Sequence, residues 1–241
     1  MRRWLTVLLL LALAGCRPAD PAVDRGYRVT VGGLARTFVV HRPAGAAGGL
    51  PVVLALHGNL GTGAGMRGLT GLDDVADAHG FLVVYPDGYR RSWADGRGVT
   101  AADLAGVDDV GFLATVLDTV GRDYPTDPRR TYVTGISNGA MMAHRLGCDL
   151  LSATDTARGW AGWDGCATAP VDGSLPDRAA DGMATTTRSW CAGLVVLCTV
   201  TGGGHTWPGG TQYLPEDVVG KTSRDFAASN LVWDFFAAHP A

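Results

Sequence analysis

The 241-residue chain is poor in charge and in cysteine. Charged residues make up 18% against 46% apolar ones, and the formal net charge is −3. No basic stripe is present to neutralise a phosphate backbone, which excludes nucleic acid as a partner. The five cysteines form no CxxC and no Cys/His group with ligand spacing, so no metal is expected and no cofactor is called for. Internal repeats and linkers are also missing from the body of the chain, so it reads as one domain. About 220 residues suffice for such a domain with a real core. The 35 glycines and 12 prolines signal tight turns rather than disorder, because hydrophobic runs recur throughout.

The N-terminus stands apart from this domain. Arg2 and Arg3 precede a short apolar run, Trp4 to Ala14. That run is below the ~20 residues needed to span a bilayer and reads as a signal peptide. Leu13-Ala14-Gly15-Cys16 follows and resembles a bacterial lipobox, in which the cysteine becomes the lipidated first residue. The expected organisation is a signal over residues 1–16, a tether over 17–26 and a domain over 27–241. The protein would be exported and held to the cell membrane by lipid on Cys16. Export puts Cys148, Cys166, Cys191 and Cys198 in a disulfide-permissive compartment. Four cysteines allow three full pairings. Cys198 sits in an apolar run and suits a buried thiol, whereas Cys166 and Cys191 have loop-like, glycine-rich surroundings and make the better pair.

Strand and helix signals alternate along the domain. Tyr27 to Val31 and Thr37 to His41 flank Gly32-Gly33 and predict an opening hairpin. Pro51 to Leu56 and Phe81 to Tyr85 are continuous apolar runs, as expected of strands buried on both faces. Helices are predicted over Leu69 to Ala78, Asp108 to Arg122, Ala140 to Cys148 and Asp225 to Ala237. Further strands are predicted over Arg130 to Thr134 and Gly193 to Val200. This order implies an α/β fold with a mostly parallel sheet covered by helices.

Four positions carry the candidate chemistry. Gly135-Ile136-Ser137-Asn138-Gly139 is a G-x-S-x-G motif, weak alone in so glycine-rich a chain. It follows a β-branched strand and opens a helix, which is the setting of a nucleophile elbow rather than of a plain turn with a capping serine. Ser137 is the candidate nucleophile. His57-Gly58-Asn59 ends an earlier strand, where the backbone N–H of Asn59 would pair with that of Asn138 as an oxyanion hole. No catalytic role is assigned to His57. Of the six histidines, His205 alone follows both the serine and a buried strand, on the flexible loop Gly202 to Gly210, and is the candidate base. His144 reads as structural; His41, His79 and His239 read as peripheral.

Together with Val107 to Phe112 and Asp123-Tyr124-Pro125, these stretches resemble the secreted polyhydroxybutyrate depolymerase and feruloyl esterase family. Its most specific parts here are Gly135 to Met142 and Gly203 to Gly210. The resemblance implies an α/β-hydrolase fold and a serine esterase acting on carboxylic esters or polyesters through an acyl-enzyme. By position, it implies that Ser137 is the nucleophile, His205 the base, Trp207 a residue lining the acyl site, and Cys166–Cys191 a disulfide found in some members. One departure stands out. Asp149-Leu150-Leu151 runs almost directly into Ser152, so the sheet is expected to be shorter by about two strands after the nucleophile helix. The aspartate that would orient His205 is missing with them. Either the last strand closes up beside the nucleophile strand, or the His205 loop is displaced by ~10 Å. Two functions follow: an esterase, or a catalytically impaired surface lipoprotein of the same fold that serves as a binding module. A deletion in the sequence itself is a third explanation.

Overall fold

The computed structural model describes residues 21–147 and 169–239. The chain opens with a hairpin of β1 (Val23–Val31) and β2 (Leu34–Arg42), turned by Gly32 and Gly33 at φ 56° and 79°. Two consecutive positive φ values are what a two-residue hairpin turn demands, and glycine adopts them without strain. Next come β3 (Leu50–Leu56), α1 (Gly63–Thr70), α2 (Leu72–His79) and β4 (Leu82–Pro86). After a long loop and the short α3 (Ala101–Leu104), α4 (Asp109–Asp123) leads into β5 (Thr126–Gly135) and α5 (Asn138–Gly147).

These strands form one sheet in the order β1-β2-β4-β3-β5. The hairpin joins antiparallel, and β4, β3 and β5 run parallel, giving the expected α/β architecture. Strand periodicity explains the layering, since alternate side chains point to opposite faces. Val52, Leu54, Leu56, Leu82 and Val84 face one side, with Phe112, Leu113, Val116 and Val120 of α4 and Met142 of α5. Val53, Ala55, Val83 and Tyr85 face the other, with Met66 of α1 and Leu72, Val75 and Ala76 of α2. Because both faces are covered, β3 and β4 must be apolar at every position, and all twelve of their residues are buried.

The helix expected over Leu69 to Ala78 is split in two. Gly71 adopts φ 60°, capping α1 and starting α2 in a left-handed conformation that breaks the helical ladder. His41, read as peripheral, is buried beneath the hairpin and bonds Asp24 at 2.8 Å and Asp77 at 3.2 Å. Arg67 bonds Asp24 and Asp73 beside it.

The C-terminal region departs furthest from expectation. β6 (Val171–Ser174), β7 (Ala184–Trp190) and β8 (Val195–Thr201) form a separate antiparallel sheet. The predicted last strand is present as β8, but it pairs with β7 and not with the nucleophile strand. Among the described residues β5 has β3 as its only strand neighbour. β7, Ala-Thr-Thr-Thr-Arg-Ser-Trp, escaped prediction because it lacks an apolar run; its β-branched threonines suit a pleated, half-exposed surface. The chain closes with the short α6 (Glu216–Val219) and α7 (Ala228–Ala238). From α7, Trp233 stacks on Phe81 at 4.0 Å and Phe236 on Tyr132 at 4.4 Å, covering the second face of the main sheet. Among the described residues no helix is long and apolar enough to cross a membrane.

Candidate active site

Ser137 sits in the sharp turn between β5 and α5, at φ 54°. A non-glycine residue costs about 1–2 kcal/mol in this left-handed conformation, so the surroundings must enforce it. They do so through the flanking glycines. A Cβ at Gly139 would overlap the carbonyl oxygen of Leu56, and one at Gly135 would lie 2.6 Å from the Gly139 carbonyl carbon. With no side chains there, the turn nests against the end of β3 and raises Ser137 above it. The N-terminal end of α5 lies directly behind the serine, with its positive dipole end toward it.

The opposite wall is the loop after β3. His57 Nε2 accepts a hydrogen bond from the Gly88 N–H at 2.9 Å. That nitrogen is therefore unprotonated, and Nδ1–H donates to the Gly58 carbonyl at 2.7 Å. Burial lowers the pKa of His57, which favours this neutral form. Trp93 Nε1 donates to the His57 carbonyl at 2.8 Å. His57 is thus a joint between two loops.

Asn138 plays a comparable part through its side chain. It accepts from the Trp93 N–H at 2.8 Å and donates to the Asp95 carboxylate at 2.6 Å. Burial alone would raise the Asp95 pKa, but hydrogen bonds from Arg97 and Asn138 outweigh it and hold the carboxyl below its usual range. Among the described residues, the backbone N–H groups of Asn59 and Asn138 meet no backbone acceptor in the surrounding turns.

Ser137, Asn59 and His205 line one cleft of about 500 Å³. Met66, Leu69 and Ile136 supply its apolar walls, and Leu60, Tyr213 and Leu214 stand exposed while lining it. The His205 loop reaches this cleft although β8 belongs to another sheet. Its main chain is anchored along the segment before α7. Gly204 N–H donates to Lys221 at 2.8 Å, His205 N–H to Val219 at 2.6 Å, and Gly209 N–H to Ser223 at 2.8 Å. The Tyr213 hydroxyl donates to the His205 carbonyl at 3.0 Å. The imidazole is exposed and has no hydrogen-bond partner among the described residues.

Trp207 does not line the cleft. It is buried among Met66, Leu72 and Phe81, and its Nε1 donates to Ser229 Oγ at 3.0 Å. Ser229 donates onward to the Thr70 carbonyl at 2.6 Å. Cys191 is disulfide-bonded and Cys198 is a free, half-buried thiol. Cys166, the expected partner of Cys191, and Cys16, the expected lipidation site, lie outside the described residues, as do Asp149, Asp155 and Asp164. Of the later aspartates, Asp172 pairs with Arg188 in the small sheet, and Asp177 and Asp181 accept backbone N–H groups. Sequence reasoning missed the jointing roles of His57 and the Asn138 side chain, since neither residue type signals its contacts locally.

No protein-family model matches the chain. It is similar to “Putative esterase NocK” of Nocardia uniformis subsp. tsuyamanensis, 29% identical over 289 positions covering 91% of this chain and 84% of that protein. That alignment is longer than the chain itself, so the relative contains residues for which this chain has no counterpart. Feruloyl esterase B of Neurospora crassa is 30% identical, covering 46% of this chain and 38% of the relative. Poly(3-hydroxyalkanoate) depolymerase C of Paucimonas lemoignei is 30% identical, covering 42% and 25%. The chain thus spans most of the first relative and well under half of the other two.

Proposed function

We propose that this chain, by resemblance a carboxylic ester hydrolase, is a serine esterase working through an acyl-enzyme on Ser137. The observation that carries the reading is the left-handed backbone of Ser137, enforced by Gly135 and Gly139, at a cleft it shares with His205. Ser137 Oγ attacks the ester carbonyl carbon and its proton passes to the His205 imidazole. The backbone N–H groups of Asn59 and Asn138 hold the negative charge that develops on the carbonyl oxygen. His205 then protonates the departing alcohol, and a water attacks the acyl-enzyme by the same route to release the acid. Trp207 serves this site by packing the His205 loop into the core, a role its burial supports over direct contact with the acyl group. The relatives' names offer feruloyl esters and polyhydroxyalkanoates as substrate classes, and the apolar cleft suits the acyl parts of both.

A second reading is favoured by one observation: the His205 ring has no carboxylate partner among the described residues. Disabling that carboxylate in a serine protease lowers turnover by about 10⁴. On this reading the protein is a catalytically impaired surface lipoprotein that binds rather than turns over its ligand. Fluorophosphonate labelling of the purified protein and its Ser137→Ala variant separates the two. Labelling and turnover of a short chromogenic ester that vanish in the variant support the esterase. A folded wild type that takes no label supports the binding module.

Export and a lipid anchor on Cys16 complete the proposal, supported by the charged, apolar and Leu-Ala-Gly-Cys sequence of the first 16 residues. Cys16→Ser should move the protein from the membrane to the soluble fraction, and unchanged fractionation refutes the anchor. The proposed partner of Cys191 in its disulfide is Cys166.

A further inference from the structure

Among the described residues that line the cleft none is a carboxylate, although the chain as a whole is net negative. The basic side chains among those lining residues are His57, His205 and Arg91. His57 is committed to two loops and held neutral, and His205 is the proposed base. Arg91 is left as a permanent positive charge with no assigned task. Arg36, Arg67, Arg97 and Arg188 are each ion-paired with an aspartate. Arg91 has no acidic partner among the described residues; its side chain makes only a 3.4 Å contact, from Nε to the Gly61 carbonyl.

The backbone beneath Arg91 is built with care. Leu60 adopts φ 63°, and Arg90 and Arg91 adopt φ 47° and 65° as the central pair of a tight turn that the Ser92 N–H closes onto the Tyr89 carbonyl at 3.0 Å. Left-handed non-glycine residues cost roughly 1–2 kcal/mol each, and here the turn and its bond to Leu60 hold Arg91 in a defined place. The Leu60 N–H donates to the Arg91 carbonyl at 2.7 Å, and the Arg91 N–H donates to Gly88 at 3.1 Å. The next residue, Ser92, is fully buried. The neighbouring Arg90 lies over the Tyr89 ring, 5.4 Å from its centroid, so Arg91 is the arginine that lines the cleft. A fixed main chain thus presents a guanidinium with no acidic partner among the described residues, in the cleft that Asn59 and the exposed Leu60 also line.

We propose that the cleft selects esters bearing a carboxylate a short apolar reach from the scissile bond, with Arg91 receiving that carboxylate. Guanidinium matches carboxylate geometry through paired N–H donors, and a lining with no carboxylate among the described residues leaves that positive charge open to an anion. Leu60, Met66, Leu69 and Leu214 pack against the apolar reach between the two polar ends. The proposal rests on the esterase reading of the cleft.

Two matched ester pairs test it. The first is 4-nitrophenyl hydrogen adipate against 4-nitrophenyl hexanoate, with the charge on the acyl side. The second is 4-acetoxybenzoate against its methyl ester, with the charge on the leaving side. In Arg91→Met the ratio of kcat/KM for the anionic to the neutral member should fall roughly tenfold or more in one pair, as for one lost charge-assisted hydrogen bond. Arg91→Lys, which keeps the charge but not the paired donors, should restore only part of that ratio. A calorimetric titration with adipate requires no turnover and should show binding to the wild type that is lost in Arg91→Met. If any ester is hydrolysed, an unmoved ratio in both pairs overturns the proposal whatever the titration shows. If none is hydrolysed, adipate decides. Arg91-dependent binding then keeps the anion site and dismisses the esterase, while binding that is absent or equal in the two proteins removes the anion site as well.

Discussion

Residues 34–147 and residues 169–239 reach the same cleft by different physical means. In the first stretch, β3 and β4 are buried at every position between two helical layers, and the turn at Ser137 is wedged against β3 with no space for a side chain at Gly135 or Gly139. The loop facing it is tied down by Arg36 and Asp109. These two are buried and 2.6 Å apart, and Asp109 also accepts the Ala94 N–H at 2.7 Å. In the second stretch, β6 is wholly exposed and the small sheet buries little beyond Trp190. Its ion pair, Arg188 with Asp172, is open to solvent and screened. His205 is held by main-chain hydrogen bonds and by one anchored neighbour, Trp207. The nucleophile is therefore positioned by close packing of its turn against β3, whereas the base has a fixed main chain and a ring with no partner among the described residues. That asymmetry sets what each substitution should do.

The largest effect should come from the first stretch. Asp109→Ala strands the buried Arg36 guanidinium and frees the Ala94 N–H, and should cost about 3–5 kcal/mol in denaturant unfolding. A loss below about 1 kcal/mol would mean that the pair is wetter than its burial indicates and that packing alone holds the Ser137 half.

A smaller stability effect with a larger catalytic one should come from the second. Trp207→Phe removes the hydrogen bond to Ser229 while keeping an aromatic in the core, and should cost about 1 kcal/mol. The His205 loop loses its anchor, so ester turnover should fall about tenfold or more, beyond what that loss of stability explains. Equal turnover in the variant would show that the main-chain bonds to Val219 and Lys221 hold His205 unaided.

The smallest expected effect is the pH dependence that His57 imposes on the first stretch. Its pKa is lowered by burial, so the unfolded chain takes up a proton near the ordinary histidine pKa before the folded chain does. Stability should therefore be at its full value above about pH 6.5 and decline as the pH falls from there toward the lowered folded value. Thermal unfolding of the wild type and His57→Gln across this window measures it. The wild-type slope should flatten in the variant, and identical slopes would assign the decline to other groups.

Much of the first stretch was legible beforehand because its signals are local and redundant. The Gly-Gly turn, the apolar runs of β3 and β4 and the strand-to-helix context of Ser137 each announce themselves within a few residues. The split at Gly71 was hidden because a lone glycine in a helical pattern is tolerated as often as it terminates the helix. β7 was hidden because threonine-rich strands carry no hydrophobic period, and their partner strand is what makes them strands. Resemblance places Trp207 at the acyl site, but its surroundings come from Met66, Phe81 and Ser229, far away in the chain. His41, buried against Asp24 and Asp77, was missed for the same reason.

By itself, then, the sequence determined the α/β class, the elbow at Ser137 and the identity of His205 as the histidine on a glycine loop after the last strand. Each of these depends on residue type and spacing along one short segment. The tertiary structure alone decided that β8 leaves the main sheet, that His205 nonetheless reaches the Ser137 cleft, that His57 is a neutral joint and that Arg91 lines the cleft without an acidic partner among the described residues. Such features depend on which distant backbone and side-chain groups pair to avoid buried, unsatisfied polarity, and that pairing is settled only when the layers pack.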